Sequence, residues 1–183
     1  MKTGLLIILL VSPYLWPIGE NPVPGDPYVI VNKRTNRLAF FNENEIKHIY
    51  PVATGKSAKW TPEGEFTVVV KAKNPYYRKK EIPGGSEENP LGSRWIGIDA
   101  RNTDGRIYGI HGNNDPAAIG SHQSAGCVRM YEKDVQQLYR HVPLGTKVLI
   151  VSTDRSFKQI AIVHGALNKA GYSGEKRHDQ HAE

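Results

Sequence analysis

Cysteine is almost missing from this chain of 183 residues. Only Cys127 is present, and a lone thiol excludes an intramolecular disulfide framework and any multi-cysteine zinc or iron–sulfur centre. Long hydrophobic runs are missing too. The apolar run Gly4 to Val11 is too short to span a bilayer comfortably, and Pro13 and Pro17 prevent its continuation as a regular helix. Charge is not extreme in either sign: 24 Lys and Arg face 18 Asp and Glu, a net +6. With 39% hydrophobic and 23% charged residues, wholesale disorder is excluded. The positive excess suits an anionic partner without choosing one.

What is present points to a turn-rich β protein, with 18 Gly and 12 Pro. Residues 1–26 read as a signal-like segment and a Pro/Gly linker. A basic residue, Lys2, precedes the apolar run, as in a secretory signal. No A-x-A cleavage site is visible, so both removal and retention as a membrane anchor stay open. No cysteine lies near enough to carry a lipid. The expectation is an exported protein of the cell envelope. In an oxidising compartment an unpaired thiol is either buried filler or a working nucleophile.

Residues 27–152 read as one domain, holding 18 basic and 12 acidic residues. Tyr28 to Val31 and Leu38 to Phe41 flank Lys33-Arg34-Thr35-Asn36 as a hairpin. Further strands are expected at 46–52, 66–71, 95–99, 107–111 and 146–151. Val135, Leu138, Tyr139 and Val142 fall at i, i+3, i+4 and i+7, which predicts one helix. Glu132 and Asp134 in its first turn suit the dipole, and Pro143 and Gly145 stop it. Residues 153–183 read as a tail, with a possible helix from Phe157 to Ala170 and then a polar, flexible end.

The informative stretch runs from His111-Gly112-Asn113 to Ser124-Ala125-Gly126-Cys127-Val128-Arg129. A strand delivers His111, and a Gly/Asn/Pro loop turns the chain back toward Cys127. A thiol needs such an imidazole to become a nucleophile. Gly126 would let backbone N–H groups approach a developing oxyanion, and Arg129 could hold a substrate carboxylate. His111, His122, Cys127 and His141 fit no zinc spacing, so no metal is expected, nor any other cofactor.

This stretch resembles the YkuD-type L,D-transpeptidase catalytic domain of bacterial cell-wall enzymes. H-G-x-N-x-P-x-x-I-G and S-x-G-C-V-R-M are joined by Thr61-Pro62-Glu63-Gly64-Glu65-Phe66, by Asn89-Pro90-Leu91-Gly92, and by Asp134, Val142-Pro143 and Gly145-Thr146. The resemblance covers about 27–152. It implies a mainly β, β-sandwich-type domain with one principal helix, and cysteine acyl transfer. By matching positions, Cys127 would be the nucleophile and His111 its base. Ser124, Gly126, Arg129 and Gly112 would contribute to substrate or oxyanion binding. Two departures stand out: Ala125 where many members have His, and Asn113 where Thr is common.

The implied reaction is attack by Cys127 on a peptidoglycan stem tetrapeptide, release of D-alanine, and transfer to an amine of a neighbouring stem. With water the same site would be an L,D-carboxypeptidase, and with a free D-amino acid an exchange enzyme. Activity is expected to fail as His111 protonates between neutrality and mild acid. A non-catalytic wall-binding protein is the rival class, and anionic wall polymers are a second partner. Two rivals are weaker. His122-Gln123-Ser124-Ala125-Gly126 lacks the first Gly of a serine nucleophile elbow. Arg78-Lys79-Lys80 beside Tyr76 and Tyr77 reads as a solvated charged loop, not a nucleic-acid patch.

Overall fold

Tyr28-Val29-Ile30-Val31 is apolar at every position rather than at alternate ones, the pattern of a strand covered on both faces. In the computed structural model, which describes residues 21–57 and 59–168, this segment is β1 (Tyr28–Asn32), buried along its whole length. β2 (Arg37–Asn42) lies antiparallel on one side of it, and β10 (Lys147–Val151) parallel on the other. The turn between β1 and β2 uses Asn36 at φ +48°, a left-handed conformation that Asn tolerates.

The other strands are β3 (Glu45–Pro51), β4 (Thr54–Gly55), β5 (Gly64–Lys73), β6 (Arg94–Ile98), β7 (Tyr108–His111), β8 (His122–Ser124) and β9 (Val128–Arg129). Eight of the ten form one curled sheet in the order β3-β2-β1-β10-β5-β6-β7-β9, while β4 and β8 pair separately. The expected mainly β fold is present, and the longer strands fall where the alternation predicted them. The short β4, β8 and β9 lie in segments where no strand was expected.

Alternation along β1 divides the interior. Val29 and Val31 join the larger core with Phe40, Ile96, Ile110 and Val128, whereas Tyr28 and Ile30 join a second core behind the sheet. The helix α1 (Glu132–His141) drives Val135 and Leu138 into the larger core. Its C-terminus is closed by Lys71 of β5. The Lys71 ammonium donates to the carbonyls of Tyr139 (2.7 Å) and Val142 (2.6 Å) and lies 4.2 Å from the Tyr139 ring centroid, so the last turn's carbonyls are satisfied. A second helix, α2 (Phe157–Val163), opens with a capping box made by Ser156 and Gln159. It buries Ile160 and Ala161 in the second core. The helix expected as far as Ala170 is therefore shorter: His164 caps it, and Gly165 turns away at φ +75°. Among the described residues no helix is long and apolar enough to cross a membrane. The N-terminal apolar segment and the polar C-terminal end lie outside the described residues.

Candidate active site

Ile110 of β7 and Val128 of β9 are in parallel register and point into the larger core. Side chains alternate along a strand, so His111 and Arg129, also in register, project from the opposite face. Cys127 precedes Val128 and shares that face, with its sulfur beside the Gly109 amide and 3.5 Å from the Ile107 carbonyl oxygen. Two residues along the strand and one strand across put the His111 and Cys127 Cα atoms roughly 8 Å apart. An imidazole and a thiol leaving the same face of adjacent strands can meet across that gap.

His111 is fully enclosed, at 3% exposure. Its Nδ1 lies 2.7 Å from the Gly112 carbonyl oxygen. A carbonyl only accepts, so Nδ1 carries the proton and Nε2 is the basic nitrogen. Trp95 of β6 stacks on the ring at 5.4 Å between centroids and 16° between planes. Its indole N–H is held by the Gly105 carbonyl at 2.7 Å. Gly97 and Gly109, paired across β6 and β7, make room for this indole, since a Cβ on either would come within 2.8 Å of it. Burial pushes His111 down from 6.5 to about 4, opposed by the Gly112 carbonyl and reinforced by the Arg129 charge. This corrects the expectation of a protonation between neutrality and mild acid.

Burial also raises the Cys127 thiol, while the Gly109 amide and the charges of Arg129 and Lys79 pull it back. The resting pair at neutral pH is therefore thiol and neutral imidazole. Ser124, buried, accepts the Gly126 N–H at 3.0 Å on its hydroxyl. The backbone donor expected from Gly126 is thus engaged inside the turn. Gly126 is needed there for shape: φ is +131°, and a Cβ would lie 2.7 Å from the Trp60 carbonyl oxygen. Arg129 carries a buried Nε with no hydrogen-bond partner among the described residues, an unfilled donor in the site. Lys79, read from sequence as part of a solvated loop, brings its charge within electrostatic reach of the thiol.

Two residues of this region were not singled out in the sequence as part of the site. Trp95 is one. The other is Glu132, which looked like ordinary first-turn charge. Its carboxylate accepts the Ser93 N–H (3.2 Å to each oxygen), the Ser93 hydroxyl (2.7 Å) and the Asn113 N–H (3.1 Å). Gly92 and Gly112 leave space for it, since a Cβ on either would sit 1.8 Å from Oε1. Glu132 thereby ties the 89–93 segment to the His111–Asn113 turn. The carbonyls of Leu91 and Gly112, which act on the His111 ring, belong to those two segments. The signal in the sequence was glycine at both contact points.

This arrangement has counterparts among known proteins. Among solved structures, the Enterococcus faecium L,D-transpeptidase superposes with a TM-score of 0.53 at 23% identity, covering 69% of this chain and 50% of that one. L,D-transpeptidase 3 of Mycobacterium tuberculosis, solved with a faropenem-derived adduct, gives 0.55 at 16% identity, covering 70% and 61%. The chain thus spans only about half to three-fifths of these solved proteins, and at such identities the likeness speaks for the fold: that of an L,D-transpeptidase catalytic domain. Sequence goes further. Residues 26–150 match the family model YkuD, L,D-transpeptidase catalytic domain. YqjB of Bacillus subtilis, named for this family, is 60% identical over 163 residues, 89% of this chain and 92% of its own. YkuD of the same organism is 38% identical over 135 residues, covering 70% and 72%. The chain belongs to the YkuD-type L,D-transpeptidase family, whose function is peptidoglycan cross-linking.

Proposed function

We propose that this chain is an exported peptidoglycan L,D-transpeptidase, working in the cell envelope with Cys127 as nucleophile and His111 as general base. The observation that carries the reading is the register of β7 and β9, with His111 and Cys127 on one face of these adjacent strands. With its proton fixed on Nδ1, the neutral imidazole leaves the Nε2 lone pair open to the thiol proton, and the basicity that burial takes from it is made up by the negative charge that develops beside it as the thiol ionises.

His111 Nε2 takes the thiol proton as sulfur attacks the carbonyl between the third stem residue and its terminal D-alanine. Negative charge gathers on the carbonyl oxygen. With the Gly126 N–H engaged by Ser124, its stabilisation falls to the Cys127 N–H and the Arg129 charge. The imidazolium then gives its proton to the departing D-alanine amine, and a thioester remains. An amine of a second stem attacks the thioester, loses a proton to His111 and expels the thiolate, which takes that proton back. Arg129 supplies the cation for a stem carboxylate. Water or a free D-amino acid in place of the stem amine gives carboxypeptidase or exchange products from the same thioester. The net charge of +6 supports anionic wall polymers as a further partner.

Incubation with purified disaccharide-tetrapeptide, followed by mass analysis, tests this directly. Dimer formation with loss of D-alanine is expected, abolished by Cys127→Ala and retained by Ser124→Ala. Activity surviving in the cysteine variant would sink the assignment. Wall binding with no D-alanine release would favour the non-catalytic reading. The Enterococcus faecium catalytic domain has been seen acylated by ertapenem. A stoichiometric carbapenem adduct on Cys127 is the matching expectation here.

A further inference from the structure

Apart from the thiol site, the molecule has a groove of about 320 Å³ between the β1–β2 turn and the β4–β8 pair. Lys33, Arg34, Lys56 and His122 line it, with the hydroxyls of Thr54 and Ser57. Among the described residues, no carboxylate and no aromatic carbocycle is in its walls. Its size lies at the lower end of the range for ligand pockets.

The walls are fixed before anything binds. Lys33 has a side chain only 7% exposed, held by the Thr61 carbonyl and by Glu63, both at 2.9 Å. The Thr54 hydroxyl donates to Asn36 Oδ1 at 2.7 Å, so its contact of 2.9 Å with His122 Nδ1 requires the imidazole to donate. The Lys56 backbone is pinned to the Ser124 carbonyl at 3.0 Å. Arg34 pairs with Asp154, but both side chains are well exposed, and such a pair is weak enough for a ligand anion to compete with it. Glu63 and Asp154 both approach from outside the groove lining.

We infer that this groove binds the phosphate groups of a polyol phosphodiester chain, and so holds the enzyme on a phosphate-bearing wall. The Arg34 guanidinium, the Lys56 ammonium and the Ser57 hydroxyl reach the groove from different directions, with the held Lys33 charge behind them, and suit a tetrahedral oxyanion better than one planar carboxylate. Only the His122 ring and the Arg34 guanidinium could stack on a nucleobase, a smaller surface than Trp, Tyr or Phe would give, which favours a flexible polyol backbone over a nucleic acid. The groove is also coupled to the thiol site. His122 opens β8, Ser124 closes it, and Cys127 comes five residues after His122, a reach of at most about 17 Å. A polymer seated there would keep wall peptides near Cys127. This deepens the proposed function, on which its biological sense rests, but the binding is measured without turnover.

The test is titration of the full chain with a soluble poly(glycerol phosphate), with inorganic phosphate, and with polyglutamate of equal charge. Tetrapeptide turnover is assayed in parallel. Saturable binding of the poly(glycerol phosphate) is expected, at least tenfold tighter than of polyglutamate and weakening with salt. The double variant Arg34→Ala/Lys56→Ala should lose at least tenfold in polymer affinity with turnover of the small substrate unchanged. Equal binding of polyglutamate, binding of inorganic phosphate alone, or undiminished binding by the double variant would overturn the inference. So would tighter binding of an oligonucleotide of matched charge. Polymer binding in a protein that releases no D-alanine would leave the groove standing and remove the transpeptidase reading, and the converse result would do the opposite.

Discussion

Glu132 offers the sharpest test of how the His111 pocket is assembled. Glu132→Ala removes the acceptor for two backbone donors, the N–H groups of Ser93 and Asn113, and for the Ser93 hydroxyl. Each stranded, part-buried backbone donor costs about 1–3 kcal/mol. Loss of a first-turn carboxylate adds about 0.3–1 kcal/mol. The expected destabilisation is therefore roughly 2–7 kcal/mol, a large share of the ~5–15 kcal/mol that keeps a domain folded. Glu132→Gln retains one acceptor oxygen in the same volume and should cost less than half as much, so it keeps the experiment readable if the alanine variant fails to fold. Denaturant melts give the stability. The rate of Cys127 alkylation as a function of pH, with kcat and KM on the tetrapeptide, gives the state of the site. In Glu132→Gln the segments carrying the Leu91 and Gly112 carbonyls loosen. kcat should then fall at least tenfold with KM nearly unchanged, and the acid limb of the pH profile should move. A Glu132→Gln protein with normal stability and a normal pH profile would refute the argument that this carboxylate sets the His111 environment.

Three further outcomes rest on the same geometry. His111 titrates near 4 in the folded chain and near 6.5 unfolded. The unfolded chain therefore binds that proton first, and stability is lost as pH falls from about 6.5 toward 4; the acid limb of activity should lie near 4, and a limb at or above 6.5 would show the ring to be solvated. Gly126→Ala places a Cβ against the Trp60 carbonyl at φ +131°; strain of about 1–3 kcal/mol and loss of turnover are expected, and a melt matching the parent would contradict the strain. Lys71→Met strands two carbonyls at the end of α1 and should destabilise by about 2–6 kcal/mol with kcat unchanged at permissive temperature, checked by thermal melts and the tetrapeptide assay.

The long strands and α1 were legible because their signals are local. β1 is a continuous apolar run, and Val135 and Leu138 repeat at helical spacing. β4, β8 and β9, of two or three residues each, carry too few side chains for any period, and they exist because distant segments meet in space: β4 with β8, and β9 with β7. That the strand ending at His111 lies beside the segment carrying Cys127 was legible through the motif. Trp95 and Glu132 were not, since their partners lie 16 and 19–39 residues away. What marked them was the missing side chain at Gly97, Gly109, Gly92 and Gly112. The protonation state of His111 was beyond the sequence altogether. It depends on enclosure by a stacked indole, which no spacing encodes.

That indole makes the reaction centre visible to light. An imidazolium in contact with an excited indole accepts an electron from it, whereas a neutral imidazole does so poorly. Of the two tryptophans among the described residues, Trp60 and Trp95, Trp95 is stacked on His111. Its emission should therefore dim whenever His111 holds a second proton, including while a thioester forms or resolves. Under the proposed mechanism, the packing that keeps the ring in place would make Trp95 an intrinsic gauge of each proton transfer, readable in a stopped-flow cell without any label.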